Sequence, residues 1–171
     1  MTAELLVLIV LPALLLAAAG WDLASFTIPN FLQLALVGAF AVFVFASGMA
    51  PAMIGSHLLA GFLGLVVGFT LFALGYVGGG DAKLFACVLL WLGFTNLLDY
   101  TLIASVLGGG LTLAILGLRQ MPLPAPLIAQ PWITRLHDAK SGIPYGVALA
   151  AGAFVVLPQT EIFRIASTLW Q

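Results

Sequence analysis

Apolar runs of membrane-crossing length follow one another almost without pause from residue 3 to residue 158. A helix needs about 20 residues, at about 1.5 Å each, to cross a hydrocarbon core about 30 Å thick. Six segments approach that length: approximately 3–21, 30–47, 53–76, 82–98, 100–118 and 143–158. Charge content rules out water as the main solvent. Only 6% of the 171 residues are charged and 63% are hydrophobic, whereas a soluble domain carries about 25% charged residues. The predicted fold is an all-α integral membrane protein, a bundle of six transmembrane helices in a single domain over residues 1–171. The first run carries Glu4 where a signal peptide has a basic cluster, so it reads as a retained span.

The distribution of Lys and Arg sets the expected orientation. With the N-terminus outside, Lys83, Arg119, Arg135 and Lys140 fall on inside connections, leaving Arg164 as the outside exception among the 5 basic residues. The expectation is N-out and C-out. Residues 119–142, "RQMPLPAPLIAQPWITRLHDAKSG", form the longest polar stretch, a Pro-rich cytoplasmic loop between the fifth and sixth spans. Pro122, Pro124, Pro126 and Pro131 exclude a continuous helix over its first half. "WITRLHDAK" is suited to a short interfacial helix with Trp132 at headgroup depth, and the tail "TEIFRIASTLWQ" to another on the opposite face. Gly61, Gly64 and Gly68 in the third span, and Gly108, Gly109 and Gly110 in the fifth, are spaced for close helix packing. Pro12 lies inside the first span, where neighbouring helices tolerate a kink.

Few chemical centres are available. A net charge of −1 argues against nucleic acid. The lone Cys87 excludes an intramolecular disulfide framework and any CxxC metal site, and reads as a small buried hydrophobe. His57 and His137 are expected on opposite faces, too far apart to share a metal. The glycine run lacks the following Lys-Ser/Thr of a phosphate loop.

The acids carry more information. Glu4, Asp99 and Glu161 are expected at the outer face, and Asp138 in the inner loop as a solvated ion pair between Arg135 and Lys140. Asp22 ends the first span and Asp81 follows the third, so two crossings return both to the same face. Asp81 stands in "GYVGGGDAKLF", and the apolar run after it is barely long enough to span, which puts it in the first turn of its helix near the headgroup plane. An ionisable group at that depth is a functional-site hypothesis; an N-cap is the plainer account. Asp22, after Trp21, could by itself mark the interface. Together they make more. Two close carboxylates do not both ionise easily, so one keeps a proton while the other acts as base, and the pair titrates as a unit. That arrangement activates water for attack on a peptide carbonyl. The residues alone also leave open a small proton- or cation-coupled transporter using Asp22 and Asp81 as carriers, and a non-enzymatic assembly subunit. Transporters usually show internal repeats with their key groups at the midplane, and no such repeat is evident here.

Three motifs carry a family resemblance: "DLASFTIPN" from Asp22, "GGGDAKL" around Asp81, and "GIPYGVALA" opening the last span. In order, spacing and side they resemble the type IV prepilin peptidases, GxGD aspartic proteases of the membrane, and within them the short tight-adherence (Flp-type) branch without the methyltransferase insertion. The resemblance implies an aspartic endopeptidase that cleaves the leader of a type IV (Flp-like) prepilin after a glycine at the cytoplasmic membrane edge. Asp22 and Asp81 match the catalytic aspartates, and Gly78 and Gly80 the small positions before the second. Pro29, Asn30, Lys83, Pro144 and Tyr145 become candidates for active-site support, with Pro29 and Pro144 also explained as helix starts and Lys83 as a snorkelling anchor. "ASFT" stands where many members carry basic residues before the Ile-Pro-Asn motif. There is no room for the cysteine-bearing insertion, so no metal, zinc or S-adenosylmethionine cofactor is expected. The implied partners are a prepilin and lipid, with no nucleic acid and with a homo-oligomer left open. The implied location is a bacterial or archaeal cytoplasmic membrane, crossed several times, with the active site facing the cytoplasm.

Overall fold

The computed structural model describes residues 2–168, and every regular element among them is helical. α1 runs Thr2–Ser25, α2 Asn30–Ser47, α3 Pro51–Ala73, α4 Gly79–Leu92 and α5 Leu97–Arg119. The short α6 (Ala125–Ile128) and α7 (Pro131–His137) follow, then α8 (Tyr145–Val156) and α9 (Glu161–Thr168). Inside α1, Leu6–Val10 is wound as a π-turn and the Leu11 N–H bonds to the Leu6 carbonyl. This answers Pro12, which has no N–H and whose ring would press on the carbonyl four residues back.

α1, α2, α3 and the stretch Phe94–Arg119 are long and apolar enough to cross a membrane. α8 and α9 add a fifth crossing if counted as one span bent by 60°. The chain is a multi-pass membrane protein. The expected span 82–98 is corrected: α4 has 14 residues, about 21 Å of helix, starting earlier and ending at Leu92. Gly93, at φ 80°, breaks it, and its bare Cα faces the His57 ring, where a Cβ would come within 3.0 Å. A 3-10 turn at Phe94–Asn96 then leads directly into α5. The third span likewise stops at Ala73, not 76, because Gly75 takes φ 79°. The last stops at Val156, where Leu157-Pro158-Gln159 forms a 3-10 turn and Thr160 accepts the Phe163 N–H at the start of α9.

α4 can be short because protein, not lipid, surrounds it: Leu84 and every residue from Ala86 to Leu92 are buried. α3 runs antiparallel against it through the expected glycines. A Cβ on Gly61 would lie 3.1 Å from Leu90 Cβ, one on Gly64 3.1 Å from Ala86 Cα, and one on Gly68 2.9 Å from the Ala82 carbonyl. On its other side α4 runs parallel to α2. Trp91 packs edge-on to Phe40 with centroids 5.5 Å apart, and its indole N–H donates to the Leu36 carbonyl at 2.9 Å. α5 and α8 close the bundle, with Gly152 against Ala104 and Gly108 against Tyr145 and Ala148. Gly109 and Gly110, expected to share in that packing, meet nothing within 4 Å.

The 119–142 loop folds as α6 and α7, fastened by Arg119, which donates to the carbonyls of Leu136, Ser141 and Gly142 at 2.9–3.1 Å. Asp138 does not serve as an ion pair: its carboxylate accepts the Lys140 backbone N–H at 3.0 Å and caps the turn. In the tail, Glu161 pairs with Arg164 on α9; Leu169, Trp170 and Gln171, part of the expected interfacial segment, lie outside the described residues.

Candidate functional site

Asp22 occupies the last turn of α1, 4% exposed. The helix stops just beyond it because Phe26 turns left-handed (φ 56°) and returns its N–H to the Asp22 carbonyl at 2.7 Å. The chain then reverses through Ile28 and Pro29, and Pro29 sits one residue ahead of α2 with φ −61°. Proline's fixed φ suits that position, where no helical N–H bond is lost. Ile28 is buried and faces the start of α4.

Asp81 is the third residue of α4, behind Gly78 as the cap and Gly79 and Gly80 as the first two helical positions. Each glycine has a steric reason. A Cβ at residue 78 would lie 2.9 Å from Asp81 Oδ2, at residue 79 3.3 Å from the Phe72 ring, and at residue 80 3.3 Å from both the Ile28 backbone nitrogen and its Cβ. The Asp81 carboxylate folds back toward the Gly78 N–H, as the acidic residue of a capping box does. The expected N-cap role is corrected: Gly78 holds the cap position, and Asp81 stands three residues further in, in the first turn. Asp81 Oδ1 is buried without a hydrogen-bond partner.

A third element joins them. The Gly146 N–H, at the first turn of α8, donates to Asp22 Oδ2 at 2.7 Å. Asp81 is near enough for both Asp22 and this N–H to contribute to its electrostatics. The N-terminus of a helix is electropositive and presents free N–H groups, so carboxylates gather there naturally. Residue 146 has to be glycine for this approach: a Cβ would lie 2.8 Å from Asp22 Oδ2 and 2.9 Å from Ile28 Cδ1. Ile28 packs against both Gly80 and Gly146, so the end of α1 and the starts of α4 and α8 meet around it.

Beside the pair a cavity of about 650 Å³ opens between α3, α4, α5 and α8. Asp81, Gly68, Leu71, Phe85, Thr112 and Tyr145 are among its lining. The Tyr145 hydroxyl lies 3.3 Å from Thr112 Oγ1, which also bonds to the Gly108 carbonyl at 2.8 Å. Pro144 is buried just before α8 and sets its start. Of the other candidate supports, Lys83 and Asn30 do not face this cavity. They pair with each other at 2.9 Å on the opposite side of α4, over a separate groove that Leu34, Phe62 and Leu90 help to line. A 100° turn per residue explains it: two positions after Asp81, Lys83 projects from the far side of the helix.

Cys87 is buried as expected, its thiol 3.8 Å from the Gln33 carbonyl. His57 and His137 are also apart. His57 is 3% exposed and bonds to the Leu90 carbonyl at 2.9 Å, whereas His137 bonds to the Met121 carbonyl in the loop. Sequence reasoning missed Gln33, buried on α2 and donating to the Gly80 carbonyl at 3.1 Å. An amide in a membrane-length apolar run was the available signal. Gly146 stood inside the GIPYGVALA motif but was given no role, since a residue without a side chain offers no chemistry to read.

Fold and geometry define a polytopic helical membrane protein with a buried Asp22 and a half-buried Asp81 at one end of the bundle. Its sequence matches the model of the type IV leader peptidase family over residues 9–113. The chain belongs to that family and is a peptidase. The matched stretch holds both Asp22 and Asp81 and ends before α8. No curated protein and no solved structure matches the chain.

Proposed function

We propose that this peptidase is an aspartic endopeptidase that removes the leader of a Flp-like prepilin, with Asp22 and Asp81 as its catalytic pair. The observation that supports the reading is that Asp22, bonded to the Gly146 N–H, and Asp81, at the start of α4, lie at the same end of the bundle beside an apolar cavity. Water held between the two carboxyls loses a proton to the ionised one as its oxygen adds to the scissile carbonyl carbon. The other carboxyl gives its proton to the carbonyl oxygen. Collapse of the tetrahedral species breaks the C–N bond: the departing amine takes up the proton first removed from water, and one hydroxyl of the tetrahedral carbon returns a proton to the second carboxyl, which leaves a carboxylic acid and the starting pair. The pair acts as a unit, and Gly146 orients it.

The cavity supports an apolar helical substrate, because Leu71, Phe85, Leu113 and Leu149 wall it while Asp81 stands at its edge. The scissile bond then lies just outside the substrate's hydrophobic helix. Six crossings and an N-out, C-out orientation belong to this proposal, with α4 crossing inside the bundle. The concentration of Lys83, Arg119, Arg135 and Lys140 at the Asp22–Asp81 end supports a cytoplasmic active site.

Membranes containing the protein and a candidate Flp-type prepilin should give a leader shift on a gel. Asp22→Asn and Asp81→Asn should each abolish the shift while inserting normally. Processing at the wild-type rate by either variant would sink the aspartyl mechanism.

A further inference from the structure

Gln33 is 6% exposed, and it is an uncharged amide embedded in the apolar face of α2. Burying an amide is costly unless it is hydrogen-bonded, and Gln33 Nε2 reaches the Gly80 carbonyl at 3.1 Å. That carbonyl does not require it: α-helical geometry already supplies the Leu84 N–H to the same oxygen. The amide is therefore not rescuing an orphaned backbone group.

Its partner, however, is the peptide oxygen directly before Asp81. The turn carrying Asp81 follows three glycines, the residues with the most backbone freedom, so side-chain packing restrains it weakly from within. Its restraints come from outside: Ile28 against Gly80, Phe72 against Gly79, and the Gln33 amide on the Gly80 carbonyl. Along the same seam, Cys87 Sγ lies 3.8 Å from the Gln33 carbonyl and Trp91 Nε1 2.9 Å from the Leu36 carbonyl. These two fix the later turns of α4 to α2. Lys83 Nζ, bonded to Asn30 Oδ1 at 2.9 Å, ties the next turn to α2, and of these α2 contacts Gln33 is the one that reaches a peptide group of the first turn.

We infer that Gln33 is a positioning residue for Asp81: its amide holds the glycine-rich first turn of α4 at the rotation and depth that bring the Asp81 carboxyl to Asp22 and Gly146. The inference rests on the proposed Asp22–Asp81 chemistry. It separates from a purely structural role through the sign of two effects. Gln33→Met keeps the side-chain length and removes a buried amide without orphaning the Gly80 carbonyl, so thermal stability should be unchanged or higher. Turnover should nevertheless fall by about tenfold to a hundredfold, as an ångström-scale misplacement of a reacting group does. KM for the prepilin should stay within about twofold, because Gln33 lies outside the substrate cavity.

Gln33→Glu supplies a second readout. A carboxyl can donate to the Gly80 oxygen only while protonated, so the ratio of its kcat to that of wild type should rise as pH falls. The assay uses the full-length protein in detergent or nanodiscs, with wild type and Asp81→Asn run alongside. Wild-type kcat in a Gln33→Met variant of normal stability overturns the positioning role, as does a Gln33→Glu to wild-type ratio that is flat with pH. Cleavage that persists in Asp81→Asn overturns the dyad reading itself, and the inference falls with it.

Discussion

Gly146→Ala adds one methyl group at the point where α1, α4 and α8 meet. The new Cβ would lie 2.8 Å from Asp22 Oδ2, 2.9 Å from Ile28 Cδ1 and 3.0 Å from Asp22 Cβ. All three are well inside ordinary van der Waals contact at about 3.5–4.0 Å. The overlap can be relieved by swinging the Asp22 side chain, or by withdrawing the first turn of α8 by roughly half an ångström or more. Either movement breaks the 2.7 Å bond from the Gly146 N–H. A hydrogen bond to a charged group contributes about 1.5–3 kcal/mol, and each 1.4 kcal/mol is tenfold in rate. Turnover should therefore fall by about 10- to 150-fold. Overpacking costs about 1–3 kcal/mol and alanine in place of glycine in a helix returns about 1 kcal/mol, so stability should fall by about 0–2 kcal/mol. The assay is leader cleavage against time in reconstituted membranes, with thermal unfolding of the same preparations. Gly38→Ala is the control, since a Cβ on Gly38 of α2 meets nothing within 4 Å, and it should cleave normally. A Gly146→Ala protein cleaving within about twofold of wild type would refute the idea that the Gly146 N–H organises the pair.

Two further expectations concern the frame around the site. Gly68→Ala brings a Cβ to 2.9 Å from the Ala82 carbonyl and 3.1 Å from its Cα. Both are backbone atoms that cannot rotate away, so α3 and α4 must separate at a net cost of about 1–2 kcal/mol; an unchanged unfolding temperature would contradict this. Arg119→Met removes three bonds to the carbonyls of Leu136, Ser141 and Gly142. Arg119 is partly exposed, so the loss should be only about 1–2 kcal/mol and should appear as faster proteolysis within 120–142, with the bundle's unfolding temperature little altered.

Much of the fold was legible because lipid imposes it. A chain with so few charges has to satisfy its backbone within helices wherever it meets hydrocarbon, and the helix starts at Asn30, Pro51 and Tyr145 lie within two or three residues of those expected. The glycine pattern of α3 was legible for the same reason, since small residues at that spacing exist to let helices touch. Legibility failed at α4. Hydropathy measures how apolar a segment is, not whether lipid or protein surrounds it, so a 14-residue central helix and an apolar run beyond it looked like one span. Lys83 was legible in part: two positions after Asp81 it has to leave the helix on another side, but its bond to Asn30 depends on where α2 packs.

The sequence by itself determined that this chain is helical, membrane-embedded and equipped with two aspartates at one end of the bundle. Counting crossings is enough for that, because each membrane-length run reverses the chain. Only the tertiary structure decided what holds Asp22. Its contact is a backbone N–H, present at nearly every residue and marked by no side chain, and it becomes particular only where helix packing brings α8's first turn against the end of α1. The same holds for Gln33, whose amide acquires a function from the one carbonyl that packing sets opposite it.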